Sequence, residues 1–412
     1  MGNKSSRLIF LEANQKLNEY MFEEILNEND GIRRGPFGGA LKKDIFVKES
    51  DYVVYEQRNA IYDRFDFRYK ISFKKYEEMK SFLVKEGDFL LSGAGTIGKI
   101  SRVPRNASKG IINQALIRIR IDSEKVNPDY FLHWMRSEKM QHRLTSGNPG
   151  SAITNLVPLS EVKKWIISIP SIDEQRKIGV FFNLFDNLIA LHQQELDALK
   201  QTKQGFLQKM FPKDGEIVPE VRFKNFMESW REVSLGTISD SYSGGTPSAG
   251  NKQYYNGTIP FIRSAEINSS TTELFLTEKG LNNSSAKLVQ KGTILYAMYG
   301  ATSGEVGISR IDGAINQAIL AIKPKEEYDI QFLYQYLKKS KKSIVNSYLQ
   351  GGQGNLSGAI IKKVSIWLPE NREEQIKIGG FFRQLDEVIE LKEKEVEALK
   401  ETKKGFLQKM FI

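Results

Sequence analysis

The sequence predicts an α+β fold in which a pair of long antiparallel helices, a coiled-coil spacer, separates two similar globular domains. Residues 174–211 and 374–411 are closely similar copies at a constant offset of 200, so the chain contains a pseudo-two-fold internal repeat. Each copy has the apolar spacing of a long helix. The residues before each copy contain short alternating runs that are typical of strands.

The first half contains few helical patterns and many short strand patterns. Residues 16–28 have the spacing of a short amphipathic helix. Pro128 is predicted to open a helix over 128–143, because the missing proline N–H does no harm in the first turn. This mixture indicates an irregular α+β domain. Strands are predicted at 52–55, 67–73, 89–92, 111–121 and 165–169.

Residues 93–98 read GAGTIG and are followed by Lys99, which resembles a nucleotide-binding loop. Such a loop needs a helix after it, so that N-terminal N–H groups face the phosphate. Here residues 99–104 read as a strand and a turn, and the equivalent loop at 300–307 has no lysine. The sequence therefore favours a tight hairpin between two strands.

A basic run without acidic residues follows this loop. Two interpretations stay open: a solvated face, which is the usual fate of a charge run, or contact with phosphates, since binding residues concentrate on loops and strand ends. The run comprises Lys99, Arg102, Arg105, Lys109, Arg118 and Arg120.

The repeated helix lacks proline and is about 55 Å long at 1.5 Å per residue. A helix of this length with an apolar stripe and charged flanks needs a partner helix, and the second copy is the obvious one. The simpler alternative, in which each helix packs only on its own domain, does not explain the length. The stripe consists of Ile178, Phe182, Phe185, Ile189, Leu196, Leu199, Phe206 and Met210.

The globular parts repeat more loosely than the helices. The glycine-rich stretch 241–248 matches 31–39 in type, and the tetrapeptide Ile-Asn-Gln-Ala occurs at 112–115 and at 315–318. Asn155-Leu156 recurs as Asn355-Leu356. Constant scaffolds with diverged surfaces are the pattern of a protein that recognises two different targets.

Composition excludes several classes of protein. The chain has no cysteine, which excludes disulfides and thiolate metal sites and is compatible with the cytoplasm. No apolar run of about 18 residues is present, as a membrane span requires. The net charge of +10 favours a polyanionic partner such as nucleic acid, although many basic proteins bind none. The MGNKSS start matches a myristoylation pattern, which we interpret as a chance match.

Taken together, these motifs resemble the DNA-specificity subunit of type I restriction–modification systems over essentially the whole chain. The resemblance lies in the two helical repeats, the Tyr-Ser-Gly-Gly-Thr-Pro loop at 242–247, the Ile-Asn-Gln-Ala segments and the Pro-Glu-Val-Arg-Phe stretch at 219–223 with Trp230. The chain departs from the pattern at its start, where the lead-in at 219–230 has no counterpart within residues 1–30.

The resemblance implies two target-recognition domains that each read one half of a bipartite DNA site. It implies that the paired helices dock two methylation subunits, which bind S-adenosylmethionine, and that the complex recruits restriction subunits that use ATP and Mg²⁺. No cofactor or metal is expected on this chain. The boundaries expected are 1–171 for the first recognition domain, 172–212 for its helix, 213–231 for a linker and lead-in, 232–370 for the second domain and 371–412 for its helix.

Candidate contact residues follow from residue type and loop position. Arginine reads guanine through a bidentate pair of hydrogen bonds, while lysine and arginine neutralise phosphates. The candidates in the first domain are Arg33, Arg34, Lys42, Lys43, Arg64, Arg68, Lys99, Arg102 and Arg105. Those in the second domain are Thr246, Lys252, Tyr254, Arg263, Tyr299 and Arg310. The expected subunit contacts are Phe181, Phe182, Phe206, Leu207, Phe381, Phe382, Phe406 and Leu407.

Two other functions compete with DNA recognition. A coiled-coil scaffold that joins two protein-binding modules predicts no salt-dependent, sequence-selective DNA retention. A self-sufficient nuclease predicts cleavage by the isolated chain with Mg²⁺. Because Asn127-Pro128-Asp129-Tyr130 lacks the second proline of an adenine methyltransferase motif and the three histidines do not cluster, no catalysis is expected. If the helices act as a ruler, lengthening both by one turn should widen the unread gap in the DNA site.

Overall fold

The computed structural model describes residues 17–37, 41–145, 156–213, 215–349 and 355–411. The chain divides into two compact units. The first unit comprises Met1–His192 and Glu395–Ile412, and the second comprises Gln193–Lys394. Both divisions fall inside a long helix rather than at its start, so each unit contains a segment of both helices.

The first unit contains a four-stranded antiparallel sheet, a five-stranded mixed sheet and a two-stranded ribbon. The four-stranded sheet has the order Ile32–Arg34, Leu116–Ile119, Phe89–Ser92, Ile100–Arg102, and the five-stranded sheet has the order Phe46–Val47, Lys70–Ile71, Tyr52–Tyr55, Gly110–Ile112, Leu83–Val84. The ribbon pairs Asn18–Met21 with Ile166–Ile169. The α-helices of its globular part are Gln57–Tyr62, Phe73–Glu78, Pro128–Arg136, Glu138–Thr145 and Leu159–Val162, and the 3-10 helices are Phe22–Ile25, Lys43–Ile45 and Lys80–Phe82.

The second unit repeats this layout with two four-stranded sheets and a ribbon. One sheet has the order Ser239–Ser243, Ile319–Pro324, Ile294–Ala297, Val306–Ile308, and the other has the order Phe275–Leu276, Tyr255–Ile262, Gly313–Ile315, Lys287–Val289. The ribbon pairs Arg231–Ser234 with Ser365–Leu368. The α-helices of its globular part are Leu235–Ile238, Glu278–Asn282, Ile330–Leu349 and Gly358–Lys362, and the 3-10 helices are Lys252–Tyr254, Ser264–Glu266 and Gly300–Thr302.

The central strand of each antiparallel sheet is buried on both faces. In Phe89–Ser92, Phe89 and Leu91 face one apolar core, whereas Leu90 faces another. In Ile294–Ala297, Ile294 and Tyr296 face one core, while Leu295 and Ala297 face another. Two covered faces require continuous apolar runs rather than alternation, which agrees with the strand predicted at 89–92.

The two long helices span Ile172–Lys209 and Arg372–Met410. In the first unit they run antiparallel, since Phe181 contacts Phe406 at a ring-centroid distance of 5.2 Å and Asp186 pairs with the earlier Lys403. In the second unit Phe206 contacts Phe381 at 5.1 Å. The predicted α+β class, the internal repeat and the long helices are confirmed.

Each long helix also packs tightly on its own globular part. A Cβ added to Gly179 would lie 2.8 Å from Cβ of Asp129, so only glycine permits this approach. Gln175 accepts the backbone N–H of Asn127 at 2.9 Å, and Gln375 accepts that of Asp329 at 3.0 Å. By these equivalent contacts, the helix that begins at Pro128 corresponds to the helix that begins at Ile330. His133 then corresponds to Gln335.

The helix predicted over 16–28 is wrong. Residues Asn18–Met21 form a strand that pairs with Ile166–Ile169, and a 3-10 turn follows. Phe22 and Ile25 are completely buried. Tertiary pairing with a distant strand has therefore overridden a local apolar spacing that also fits a helix.

Three other predicted elements are shorter than expected. The strand at 67–73 shrinks to Lys70–Ile71, because Ser72 caps a helix that begins at Phe73. The strand at 111–121 breaks where Asn113 Oδ1 accepts the N–H of Ala115 at 3.1 Å. The helix at 128–143 breaks at Ser137. The strands at 52–55 and 89–92, the helix start at Pro128 and the 93–98 hairpin are confirmed. Residues 1–16, 38–40 and 146–155 lie outside the described residues.

Candidate nucleic-acid interface

The strand Ile32–Arg34 carries two exposed arginines at the edge of the first antiparallel sheet. Arg34 Nη2 donates to the Gly93 carbonyl at 3.4 Å, and its guanidinium lies 5.8 Å from the Phe37 ring centroid. Arg33 Nε lies 3.5 Å from Asp30. Lys42 is exposed, and the side chain of Lys43 lies outside the described residues. The two arginines thus have weak internal contacts and remain accessible.

A second basic cluster surrounds an open hollow of about 560 Å³ lined by Arg58, Tyr62, Arg64 and Arg68. Arg68 donates from Nε and Nη2 to the Glu56 carboxylate at 3.0 and 2.7 Å. Hydrogen bonding to Glu56 raises the pKa of Arg68. Arg58 and Tyr62 were missed by sequence reasoning, although their spacing with Arg64 and Arg68 within twelve residues was visible.

The basic run 99–120 divides into two groups. Lys99 and Arg105 are exposed, and Arg105 lies 3.6 Å from Glu86. Arg102 donates to Asp129 at 3.0 Å and is about one third exposed. These three side chains and the exposed Lys109 can reach a solvent-borne anion.

Arg118 and Arg120 are bound within the fold, and Arg118 is too deeply buried for phosphate contact, whereas Arg120 also lines an open hollow with Arg102 and Arg105. Arg118 is completely buried and donates to the Leu83 carbonyl at 2.5 Å. Arg120 donates to both Asp88 carboxylate oxygens, at 2.6 and 3.0 Å, and both arginines pair with Asp30. Burial lowers the pKa of Arg118.

The second domain has an open hollow of about 470 Å³ that brings together three predicted residues, Thr246, Lys252 and Arg263. Its floor includes Phe261 and Leu274. Lys252 is exposed, and Thr246 bonds to the Gln317 side chain. The hollow therefore combines a cationic rim with an apolar floor.

Arg263 is held by two carboxylates, Glu266 at 2.8 Å and Glu273 at 2.6 Å. Hydrogen bonds to Glu266 and then Glu273 raise its pKa above the usual arginine value. Arg263 occupies the position of Glu56, since each follows the strand that runs parallel to an Ile-Asn-Gln-Ala segment. The ion pair at this turn is therefore reversed in polarity between the domains.

The remaining predicted residues of the second domain lie elsewhere. Arg310 is exposed and binds Glu390 of the second long helix through two hydrogen bonds of 3.2 and 3.0 Å, so its contact with DNA stays a prediction. Tyr299 is partly buried against the main core. Tyr254 is half-buried in a 3-10 turn. Neither tyrosine lines the hollow beside Lys252.

The eight residues expected at a subunit interface pack within the chain. Phe182 and Phe382 are completely buried, so no partner can touch their side chains in this conformation. The predicted contacts of the helices with each other do involve Phe181, Phe206, Phe381 and Phe406. Leu207 and Leu407 pack against the cores of the second and first units, respectively.

An exposed apolar stripe on the first long helix was missed. Its members are 40–62% exposed and recur at steps of three or four residues, which places them on one face. The predicted stripe that pairs the helices does not include this second apolar series, although its spacing is equally visible in the sequence. The stripe consists of Val180, Leu184, Leu188 and Leu191.

Within the described ranges, no group of His, Asp or Glu side chains is arranged to hold a metal ion. In the same part of the chain, no helix is long and apolar enough to cross a membrane. Residues 93–98 form a hairpin in which Gly95 and Gly98 have φ of 61° and 80°, values that favour glycine. A strand follows at Ile100, so the helix that a phosphate-binding loop requires is replaced by a strand.

Comparisons with known proteins agree with this architecture. A family model described as the type I restriction modification DNA specificity domain matches residues 37–201 and 227–401. The putative MjaX specificity subunit of Methanocaldococcus jannaschii is 27% identical over 350 residues, which cover 81% of this chain and 79% of the relative. The HindI specificity subunit of Haemophilus influenzae is 28% identical over 197 residues, 45% of this chain and 41% of the relative.

Solved structures resemble the whole chain. A type I restriction–modification S subunit from M. genitalium has a TM-score of 0.65 at 16% identity and 98% coverage of both chains. A structure from work on complex assembly and conformational transition of the type I system has a TM-score of 0.57 at 20% identity, with 97% of this chain and 99% of the other covered. At these identities the likeness shows the fold. The repeat, the fold and the family match together show that this chain belongs to the type I restriction–modification DNA-specificity family and contains two copies of its specificity domain.

Proposed function

We propose that this chain recognises a bipartite DNA site as the specificity subunit of a type I restriction–modification complex, with one half-site read by each domain. The observation that carries the proposal is the reversed ion pair on a common framework. Glu56 and Arg68 in the first domain correspond to Arg263 and Glu273 in the second. Two domains with one scaffold and opposite charges at these equivalent positions are suited to different base sequences.

Exchange of one domain tests this division of labour. Residues 232–365 would be replaced by the equivalent segment of a relative with a different methylation motif, and the methylated sites would be mapped in vivo. One half of the motif should change and the other should stay. Alteration of both halves would contradict independent reading.

DNA binding itself is tested with the chain bound to its partner subunits. A protein that neutralises several phosphates loses affinity steeply as salt rises. We expect selective retention of duplexes that contain the native motif, together with this salt dependence. The scaffold alternative predicts neither.

We also propose that the apolar stripe at Val180, Leu184, Leu188 and Leu191 docks a methylation subunit, and that an equivalent face docks a second one. Val388 and Leu391 on the second helix occupy the positions of Leu188 and Leu191 and are 46% and 66% exposed, whereas Gly380 and Gln384 stand at the positions of Val180 and Leu184. An exposed apolar face on a long helix fits an apolar helix face of a partner.

The docking surface can be tested by co-purification. Leu184→Asp together with Leu188→Asp should abolish recovery of one of the two methylation subunits. Met227→Asp is the matched control, because Met227 is 89% exposed and is not part of either long helix. Equal loss with both variants, or no loss with the stripe variant, would overturn this assignment.

The chemistry is proposed to reside on the partner subunits. S-adenosylmethionine would bind the methylation subunits, while ATP and Mg²⁺ would act in the restriction subunits. The isolated chain should then neither transfer a methyl group nor cleave DNA with Mg²⁺. Methyl transfer should be detected only after methylation subunits are added. Cleavage by the purified chain would contradict a purely recognising role.

A further inference from the structure

The turn that follows strand Tyr52–Tyr55 is fixed by a buried amide. Asn59 is 1% exposed, and its Oδ1 accepts the Glu56 N–H at 2.7 Å. Its Nδ2 donates to the carbonyls of Arg64 at 2.6 Å and Asp66 at 3.4 Å. One buried side chain therefore links both ends of the turn and sets the backbone at residue 64.

The other end of the turn is also held. Asp63 adopts the left-handed conformation, with φ of 52°, and its carboxylate accepts a hydrogen bond from Arg136 at 3.0 Å. A non-glycine residue in this conformation carries some strain, which the surrounding contacts must offset. The turn is thus defined by its contacts with the helix at Pro128 as well as by Asn59.

The three arginines around the hollow differ in how their N–H groups are used. Arg68 commits Nε and Nη2 to Glu56, and Arg58 Nη2 lies 2.5 Å from Asp66. Arg64 is exposed, and within the described residues its guanidinium makes no hydrogen bond or ion pair. Arg64 therefore presents its whole fork of N–H donors, beside the 67% exposed ring of Tyr62.

We infer that Arg64 is a specificity-determining residue that reads the O6 and N7 acceptors of a guanine in the first half-site, and that Asn59 is its positioning residue. This inference rests on the proposed function. Bidentate readout requires two N–H groups on one edge and a fixed backbone origin, and Arg64 meets both conditions. Arg58 and Arg68, oriented by carboxylates, supply positive charge beside the hollow.

The second domain lacks this arrangement at the equivalent turn. Arg263 replaces Glu56 and commits Nε and Nη2 to Glu266 and Glu273. Glu266 takes the position of Asn59, because its carboxylate accepts the Arg263 N–H at 3.0 Å. The guanine-reading turn is consequently a property of the first domain alone.

Substitution of Arg64 in the complex with methylation subunits tests the inference. Binding would be measured on a set of duplexes in which each base pair of the native motif is changed in turn. Arg64→Ala should reduce discrimination at one guanine of the first half-site by about tenfold or more, as expected for the loss of one bidentate pair. Arg64→Lys should keep most of the affinity and lose the same discrimination, because an ammonium lacks the planar fork.

Lys80→Ala serves as the control, since the Lys80 side chain is 66% exposed, pairs with Glu77 at 2.7 Å and is not among the candidate contact residues. It should leave discrimination unchanged. If Arg64→Ala instead weakens all duplexes equally and lowers the salt slope by about one, Arg64 is a phosphate contact and the inference fails. Unchanged discrimination would also overturn it.

The positioning role of Asn59 is tested by comparing its substitution in the presence and in the absence of the Arg64 side chain. Asn59→Ala should lower discrimination at the same base pair, and it should have no further effect on discrimination in the Arg64→Ala background. An additional loss in that background would show that Asn59 does not act through Arg64. If the unmodified complex shows no sequence selectivity, the proposed function fails as a whole. If it is selective and the Arg64 variants match it, only this inference fails.

Discussion

Lys203 on the first long helix donates a hydrogen bond of 2.5 Å to Asp386 on the second, and Lys403 makes the reciprocal bond to Asp186. The Lys203 side chain is only 9% exposed. Burial lowers the pKa of Lys203, and Asp386 also accepts from Gln335 at 2.7 Å. A charged pair at this depth penalises any other register of the helices, because misalignment leaves a buried charge without a partner.

Removal of the Asp386 carboxylate alone should therefore reduce the free energy of unfolding more than removal of both Lys203 and Asp386. Asp386→Asn is expected to reduce the free energy of unfolding by roughly 2–4 kcal/mol, whereas Lys203→Met with Asp386→Leu should be close to neutral. Urea unfolding of the single and double variants measures both values. Equal losses would show that packing, rather than charge, dominates at this position.

His133 should make the first unit sensitive to acid. Burial lowers the pKa of His133 to about 4, the hydrogen bond with Asn183 and the charge of Asp186 oppose this shift, and Lys403 and Arg136 add to it. The unfolded chain takes up this proton near pH 6.5 and the folded chain only near pH 4, so stability is lost as pH falls between these values. The loss amounts to about 3 kcal/mol.

Gln335 occupies the equivalent position in the second unit and does not titrate. His133→Gln copies it and should flatten the dependence of unfolding free energy on pH between 6.5 and 4. Chemical denaturation at several pH values, with protection of each unit followed by hydrogen exchange, measures this. Parallel pH profiles for the two proteins would rule out His133 as the source.

Two equivalent phenylalanines should stabilise different units. Phe411 stacks on Phe182 of the first unit at a centroid distance of 5.6 Å, and Phe211 stacks on Phe382 of the second at 5.8 Å. Phe411→Ala is expected to destabilise the first unit by about 3–5 kcal/mol, and Phe211→Ala the second by a similar amount. Hydrogen exchange localised by mass spectrometry distinguishes them. Loss of protection in the second unit for Phe411→Ala, or in the first unit for Phe211→Ala, would contradict this prediction.

The buried arginines should affect folding rather than DNA affinity. Asp88→Asn removes a carboxylate that is 3% exposed and accepts two bonds from Arg120, which should cost about 3 kcal/mol or more. The slope of DNA affinity against salt should not change at temperatures where the variant is folded. Arg105→Ala should lower the slope of DNA affinity against salt and leave the free energy of unfolding unchanged. A reduced slope for Asp88→Asn would place this cluster in the DNA interface.

The sequence was most informative where one pattern had one structural meaning. The repeated helix, the continuously apolar strand at 89–92 and the hairpin at 93–98 were predicted because their residues allow few alternatives. Residues 16–28 were mispredicted because their strand partner lies more than 140 residues away. The ion pairs of Arg118 with Asp30 and of Arg310 with Glu390 could not be predicted for a related reason, because these acidic partners are distant in sequence.

The core of the first unit includes Phe411, although residues 193–394 of the intervening chain belong to the other unit. During synthesis the ribosome therefore produces every residue of the second unit before the final helical segment of the first. The second unit can close its core around Phe211 while the nascent first unit still lacks Phe406 and Phe411. The recognition domain that is translated first is accordingly the last to complete its core, and until then Tyr130 and Phe182 lack their ring contacts with Phe411.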